Sequence, residues 1–144
     1  MSDSEEFQGK IAIVTGSGRG MGKAIANRLS SGGAIVVVTD INDELVEQTA
    51  VEIGQQGGQA MALPGDVTSR ADVEKIAEFT NQRYGNIDIL VNSAGVLRTS
   101  NVIDLDEEEW DLVLAVNLKG TYLWARAVLP YMRQGNWGRI INLS

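Results

Sequence analysis

The sequence contains no cysteine and no histidine. Without cysteine there is no disulfide framework and no thiolate nucleophile. Without histidine, histidine-based catalytic triads and the commonest metal ligand are excluded. Basic residues are scarce as well: 12 Lys and Arg stand against 19 Asp and Glu, a net charge of −7. Nucleic acid and anionic membranes both call for basic patches, so neither is expected as the main partner. No continuous apolar run approaches the ~20 residues of a membrane span. The acidic start, MSDSEEF, lacks the charged-then-apolar layout of a signal peptide. A soluble, cytoplasmic protein is the expectation.

What is present is a globular composition. The chain has 144 residues, 44% of them hydrophobic, enough for one domain with a core. Short β-branched runs alternate with helical periodicity. Lys10–Thr15, Ala34–Thr39, Gln59–Leu63, Ile87–Val91 and Arg139–Leu143 read as strands, the first two buried on both faces. Between them lie helices. Met21, Ile25 and Leu29 share one face of the first. Asn42 or Asp43 caps the second, with Val46, Ala50 and Ile53 inward. Ser69 with Asp72 resembles a capping box ahead of Val73, Ile76, Ala77 and Thr80. Asp106–Glu109 opens a long helical stretch to about Gln134, where acid complements the helix dipole. A metal site in that cluster is disfavoured, because consecutive carboxylates on a helix do not converge on one ion. The pattern predicts an α/β doubly wound parallel sheet of Rossmann type.

The first strand runs into TGSGRGMG, Thr15 to Gly22. The spacing is not G-x-G-x-x-G but T-G-x-x-x-G-x-G, on Gly16, Gly20 and Gly22. The physics is shared: glycine allows a tight turn and brings backbone N–H groups to a pyrophosphate at a helix N-terminus. A ligand-free βα turn is the plainer alternative. The loop lacks the Lys-Ser ending of a nucleoside-triphosphate loop. Asp40, just past the second strand, can accept from ribose hydroxyls and would repel a 2′-phosphate, favouring NAD. Arg19 pulls the other way, towards NADP.

Taken together these motifs resemble the short-chain dehydrogenase/reductase family, from about Gly9 to Ser144. TGSGRGMG is similar to its glycine loop, Asp66-Val67 to its Asp-Val pair, and NSAG (Asn92–Gly95) to its N-N-A-G, with Ser93 for asparagine. VNLKG carries the family's helix asparagine at Asn117, and GRIINLS resembles the strand leading to its catalytic serine. The resemblance implies Gly16, Ser17, Arg19, Gly20, Met21 and Gly22 around the pyrophosphate. It implies Asp40 and Ile41 at the adenosine ribose, Asp66 and Val67 at the adenine, and Asn92, Ala94 and Gly95 along the cofactor. Asn117 would interrupt its helix and hold a water of a proton relay. Ser144, or the position after it, would be the catalytic serine. The implied strand order is 3-2-1-4-5. The implied activity is hydride transfer between NAD(P) and a carbonyl or alcohol.

The family's tyrosine and lysine, spaced Y-x-x-x-K, do not occur in this chain. Tyr122 with Arg126 is the nearest imitation, on the wrong helix and with arginine for lysine. Residues 1–144 are therefore expected to be a single NAD(P)-binding domain, incomplete at its C-terminus and inactive alone. A truncated, non-catalytic dinucleotide-binding module is the alternative. Between Leu112 and Met132 only Lys119 and Arg126 are charged, so the long helix should be buried on more than one side. A homo-oligomer, dimer or tetramer, through residues 106–134 is expected. Ketoacyl thioesters, sugars, polyols and steroids all stay open as substrates.

Overall fold

A computed structural model describes residues 5–144; Met1–Ser4 of the acidic start lie outside the described residues. The elements run β1 (Ile11–Thr15), α1 (Gly20–Ser31), β2 (Ile35–Thr39), α2 (Asp43–Gln55), β3 (Gln59–Ala62), α3 (Arg70–Tyr84) and β4 (Ile89–Asn92). Then come α4 (Glu107–Leu114), a π-helical turn (Ala115–Lys119), α5 (Gly120–Gln134) and β5 (Arg139–Asn142). The strands form one parallel sheet in the order β3-β2-β1-β4-β5, as expected.

Alternation along β1 explains why helices cover both faces. Ala12 and Val14 join Val36 and Val38 of β2 in one cluster, closed by Ala26 and Leu29 of α1 and Val46 and Ile53 of α2. Ile13 and Val37 point the other way and meet Leu90, α3 and α5. Successive strand side chains face opposite sides, so β1 must be apolar at every position. Among the described residues Trp124 of α5 is the largest fully buried side chain, 1% exposed, and its indole N–H meets no hydrogen-bond partner.

Several boundaries differ from the sequence reading. Lys10 is outside β1 and lays its Nζ over the Trp137 ring at 3.9 Å. β4 begins at Ile89 rather than Ile87 because Asp88 turns inward: its Oδ2 accepts the Ile11 N–H at 2.8 Å. The buried face of α1 is Gly22, Ala26, Leu29 and Ser30, and Met21 is 65% exposed. On α2, Thr49 takes the buried place assigned to Ala50. Asn42 caps α2 through the Leu45 N–H, and Ser69 caps α3 through the Asp72 N–H. The Asp72 carboxylate does not return to Ser69 but accepts from the Asp66 N–H at 3.0 Å.

The long helical stretch corrects one exclusion. Glu107–Gln134, 28 residues with a mean hydropathy of 1.2 in its apolar window, is long and apolar enough to cross a membrane by length and composition. Polar residues interrupt every run within it, so the sequence shows no continuous span. One face, Leu123, Trp124, Val128 and Met132, packs against the sheet, and 22% of the apolar window is buried. The opposite side leaves Leu118, Tyr122 and Leu129 exposed. Pro130 does not break α5.

Candidate active site

β1 ends at Thr15, whose buried hydroxyl accepts two N–H groups, from Ser93 at 3.1 Å and Ala94 at 3.0 Å. This ties the segment after β4 to the end of β1. Gly16 follows with φ +61, and a Cβ there would lie 2.7 Å from Ala94 Cα. Gly22 rests on the Gly16 carbonyl so closely that any Cβ would collide with it. Two glycines thus let α1 and the loop after β4 close on the same turn. Gly20, with φ +58, differs: nothing lies within 4 Å of its Cβ direction. Its open side adjoins a cavity of about 410 Å³.

The cavity sits over the C-terminal ends of the strands, where the order reverses between β1 and β4. That crevice is where open α/β sheets bind ligands. Gly16, Arg19, Gly20, Met21 and Gly22 form its floor at the N-terminus of α1. Arg19 gives α1 no side-chain cap, in contrast to Asn42 on α2 and Ser69 on α3. The first-turn N–H groups are left to a ligand or to water.

Asp40 and Ile41 form one wall. Asp40 is held by two backbone donors, the Gly18 N–H at 3.1 Å to Oδ2 and the Asn42 N–H at 3.2 Å to Oδ1. Asp66 and Val67 form the next. Asp66 Oδ1 accepts from the Thr68 N–H at 2.8 Å and the Thr68 hydroxyl at 2.7 Å. Gly120 lets α5 approach this segment; a Cβ there would stand 2.9 Å from Val67 Cγ2. Ala94, Gly95 and Val96 complete the cavity opposite Leu112 and Val116.

Asn117 lies in the π-helical turn. Its Oδ1 accepts the Val96 N–H at 2.8 Å and its Nδ2 donates to the Val96 carbonyl at 2.9 Å. The amide thereby clamps the cavity wall to the helix. Its own carbonyl accepts the Thr121 hydroxyl at 3.2 Å.

The family model for short chain dehydrogenase matches residues 10–144. This chain belongs to the short-chain dehydrogenase family. It is 39% identical over 138 residues to the (2S)-[(R)-hydroxy(phenyl)methyl]succinyl-CoA dehydrogenase subunit BbsD of Thauera aromatica, covering 96% of this chain and 56% of that protein. It is 38% identical over 135 residues to an uncharacterized oxidoreductase of Staphylococcus aureus strain USA300, covering 94% of this chain and 58% of that protein. The chain thus spans a little over half the length of the curated relatives it matches. Short-chain dehydrogenases generally bind NAD(P).

Of the short-chain dehydrogenase positions expected from the sequence, most line one cavity, but four do not. Ser17 is fully buried beneath the loop, donating to the Val14 carbonyl at 2.6 Å and accepting the Thr39 N–H at 3.1 Å. Asn92 is the last residue of β4, and its Nδ2 donates to Asn142 Oδ1 at 2.9 Å across to β5. Asn117 stands behind the wall, holding Val96. Ser144 is exposed, two residues beyond β5. The sequence reading missed Thr15, Gly18, Thr49 and Gly120, all of which hold the cavity's walls. Thr15 and Gly18 stood in TGSGRGMG and Gly120 in VNLKG, while Thr49 stood in no motif; local pattern gives none of them its role, because each works through a residue distant in sequence.

Proposed function

We propose that this chain forms the cofactor-binding part of an NAD-dependent oxidoreductase acting on a carbonyl or alcohol substrate. The observation that carries this is the single cavity joining the glycine loop, Asp40–Ile41, Asp66–Val67 and Ala94–Gly95 at the switch point of the sheet. The fit is good: Gly20 leaves room where a side chain would stand, and the uncapped start of α1 offers donors for a diphosphate. When bound, the dinucleotide would accept or deliver a hydride. This chain's residues would do the holding. Backbone N–H groups at Gly20–Gly22 would bind the pyrophosphate. Asp40, its carboxylate oriented by two amides, would accept from the adenosine ribose hydroxyls and repel a 2′-phosphate. Asp66 and Val67 would flank the adenine. Asn117 would hold a relay water at its main chain, its side chain being engaged with Val96. NADP is the weaker reading, supported only by Arg19 on the cavity floor.

A second copy of the chain is the proposed partner of the exposed face of α5. Glu107, Glu108, Glu109 and Asp111 make the N-terminal end of the long helix acidic. Lys119, Arg126 and Arg133 make the rest basic. An antiparallel pairing of two such helices sets opposite charges against each other around Leu118, Tyr122 and Leu129.

The test is titration of the full-length protein with NADH and NADPH, following nicotinamide fluorescence, then turnover with a panel of ketones and secondary alcohols. Saturable binding tighter for NADH, with oxidation of NADH on at least one ketone, is expected. Binding of neither nucleotide overturns the cofactor reading. Binding without turnover of any panel member favours a non-catalytic module instead.

A further inference from the structure

We propose that Thr49 of α2 is a positioning residue for the ribose end of the cavity, acting through Gly18 on the Asp40 carboxylate. The inference rests on the dinucleotide reading above. Its starting observation is a hydroxyl out of its usual place. A buried threonine within a helix ordinarily donates to the carbonyl one turn back, as Thr80 does to Ile76 at 2.7 Å. Thr49 is equally buried, at 0% exposure. Yet it donates out of its helix to the Gly18 carbonyl at 3.2 Å.

Gly18 is the residue whose N–H meets Asp40 Oδ2 at 3.1 Å. Both polar backbone groups of this one loop residue are therefore held, the carbonyl by α2 and the N–H by the carboxylate. Glycine has the widest backbone freedom of any residue, so a tether on its carbonyl matters more than elsewhere. The space around it is also closed: a Cβ on Gly18 would lie 2.8 Å from Leu45 Cβ and 3.1 Å from Asp40 Oδ2. The Lys23–Glu52 ion pair at 2.6 Å joins α1 to α2 beside it. Thr49 does not line the cavity.

Removing the hydroxyl frees the Gly18 peptide and lets the Asp40 carboxylate turn. A turned carboxylate accepts less well from ribose hydroxyls and also repels a 2′-phosphate less. NADH and NADPH are then affected in opposite senses. A threonine that only packs would weaken both alike.

The experiment measures the dissociation constants of NADH and NADPH for the full-length protein, as wild type, T49V, T49S and D40A, and with T49V on the D40A background. In T49V the NADH constant rises about tenfold, the scale of one lost hydrogen bond, while the NADPH constant does not rise. T49S keeps the wild-type ratio. On D40A, T49V leaves the ratio of the two constants unchanged, since no carboxylate remains to position. Equal weakening of both nucleotides in T49V, or a ratio shift that persists on D40A, overturns the proposal. Where T49V does not fold, G18A presses on the same carboxylate from the loop side, and an unchanged ratio there overturns it as well. If the wild type binds neither nucleotide, the dinucleotide reading falls and the role of Thr49 with it.

Discussion

Gly20 and Gly22 stand two residues apart and are glycine for different reasons. Gly22 has no room, because the Gly16 carbonyl occupies the place of a Cβ. Gly20 has room, but its φ of +58 is one that L-residues avoid. Gly22→Ala forces backbone against backbone and is expected to cost about 1–3 kcal/mol of stability and to abolish dinucleotide binding. Gly20→Ala is expected to cost about 1–2 kcal/mol through its backbone alone, and to weaken binding because the methyl enters the space a diphosphate would use. Urea melts with and without NADH separate the two: the ligand raises the midpoint of Gly20→Ala, by less than in the wild type, and does not move that of Gly22→Ala. At this scale the sequence was half legible. Glycine spacing announces a tight loop, but not which glycine is crowded and which is open. Ser17 shows the same limit: its place in the motif suggests a ligand contact, whereas its hydroxyl bridges Val14 and Thr39.

Helices and strands were legible in kind and order, and misjudged where one side chain outweighed the period. On α1 the apolar spacing selects Met21, but the close approach of Gly22 to the loop turns that helix so that Ala26 faces the sheet. On α2 a buried polar residue displaced the alanine that periodicity prefers. On α3 no such feature competes, and Val73, Ile76, Ala77 and Thr80 are buried as expected. The π-helical turn at Ala115–Lys119 left no trace in the hydrophobic pattern. It is equivalent to one extra residue in an α-helix, and it presents Asn117 to Val96. Deleting the exposed Leu118 is expected to restore plain α-helix and rotate Asn117 away from that clamp. Helix content by circular dichroism should be unchanged while proteolysis between residues 96 and 106 accelerates. Unchanged proteolysis would mean that the clamp does not order the loop.

Across the whole molecule, burial is uneven. β2, β1 and β4 carry the core, while the edge strand β5 has Ile141 45% exposed and is followed by Leu143, 38% exposed. The outer side of α5, with Tyr122 and Leu129, is similarly open. Hydrophobic pattern predicts that such surfaces want cover, and cannot say from what, since the covering residues need not share a period with the surface. If a second copy covers α5, the double variant Tyr122→Glu, Leu129→Glu should halve the particle mass seen by light scattering on the full-length protein, with far-UV circular dichroism retained. The same mass for wild type and variant would rule out α5 as the interface.

The hydroxyl of Thr15, accepting from two amides at once, has a consequence for how the cavity mouth breathes. Loop amides normally trade their protons with water quickly. Those of Ser93 and Ala94 are shielded by Thr15, and that of Gly18 by Asp40, so in deuterated solvent they should lag behind their neighbours even with the cavity empty. The first amides of α1 have no such shield. The mouth would therefore label in two classes, slow at its hinges and fast at its floor, and a bound diphosphate would bring the fast class down to join the slow one.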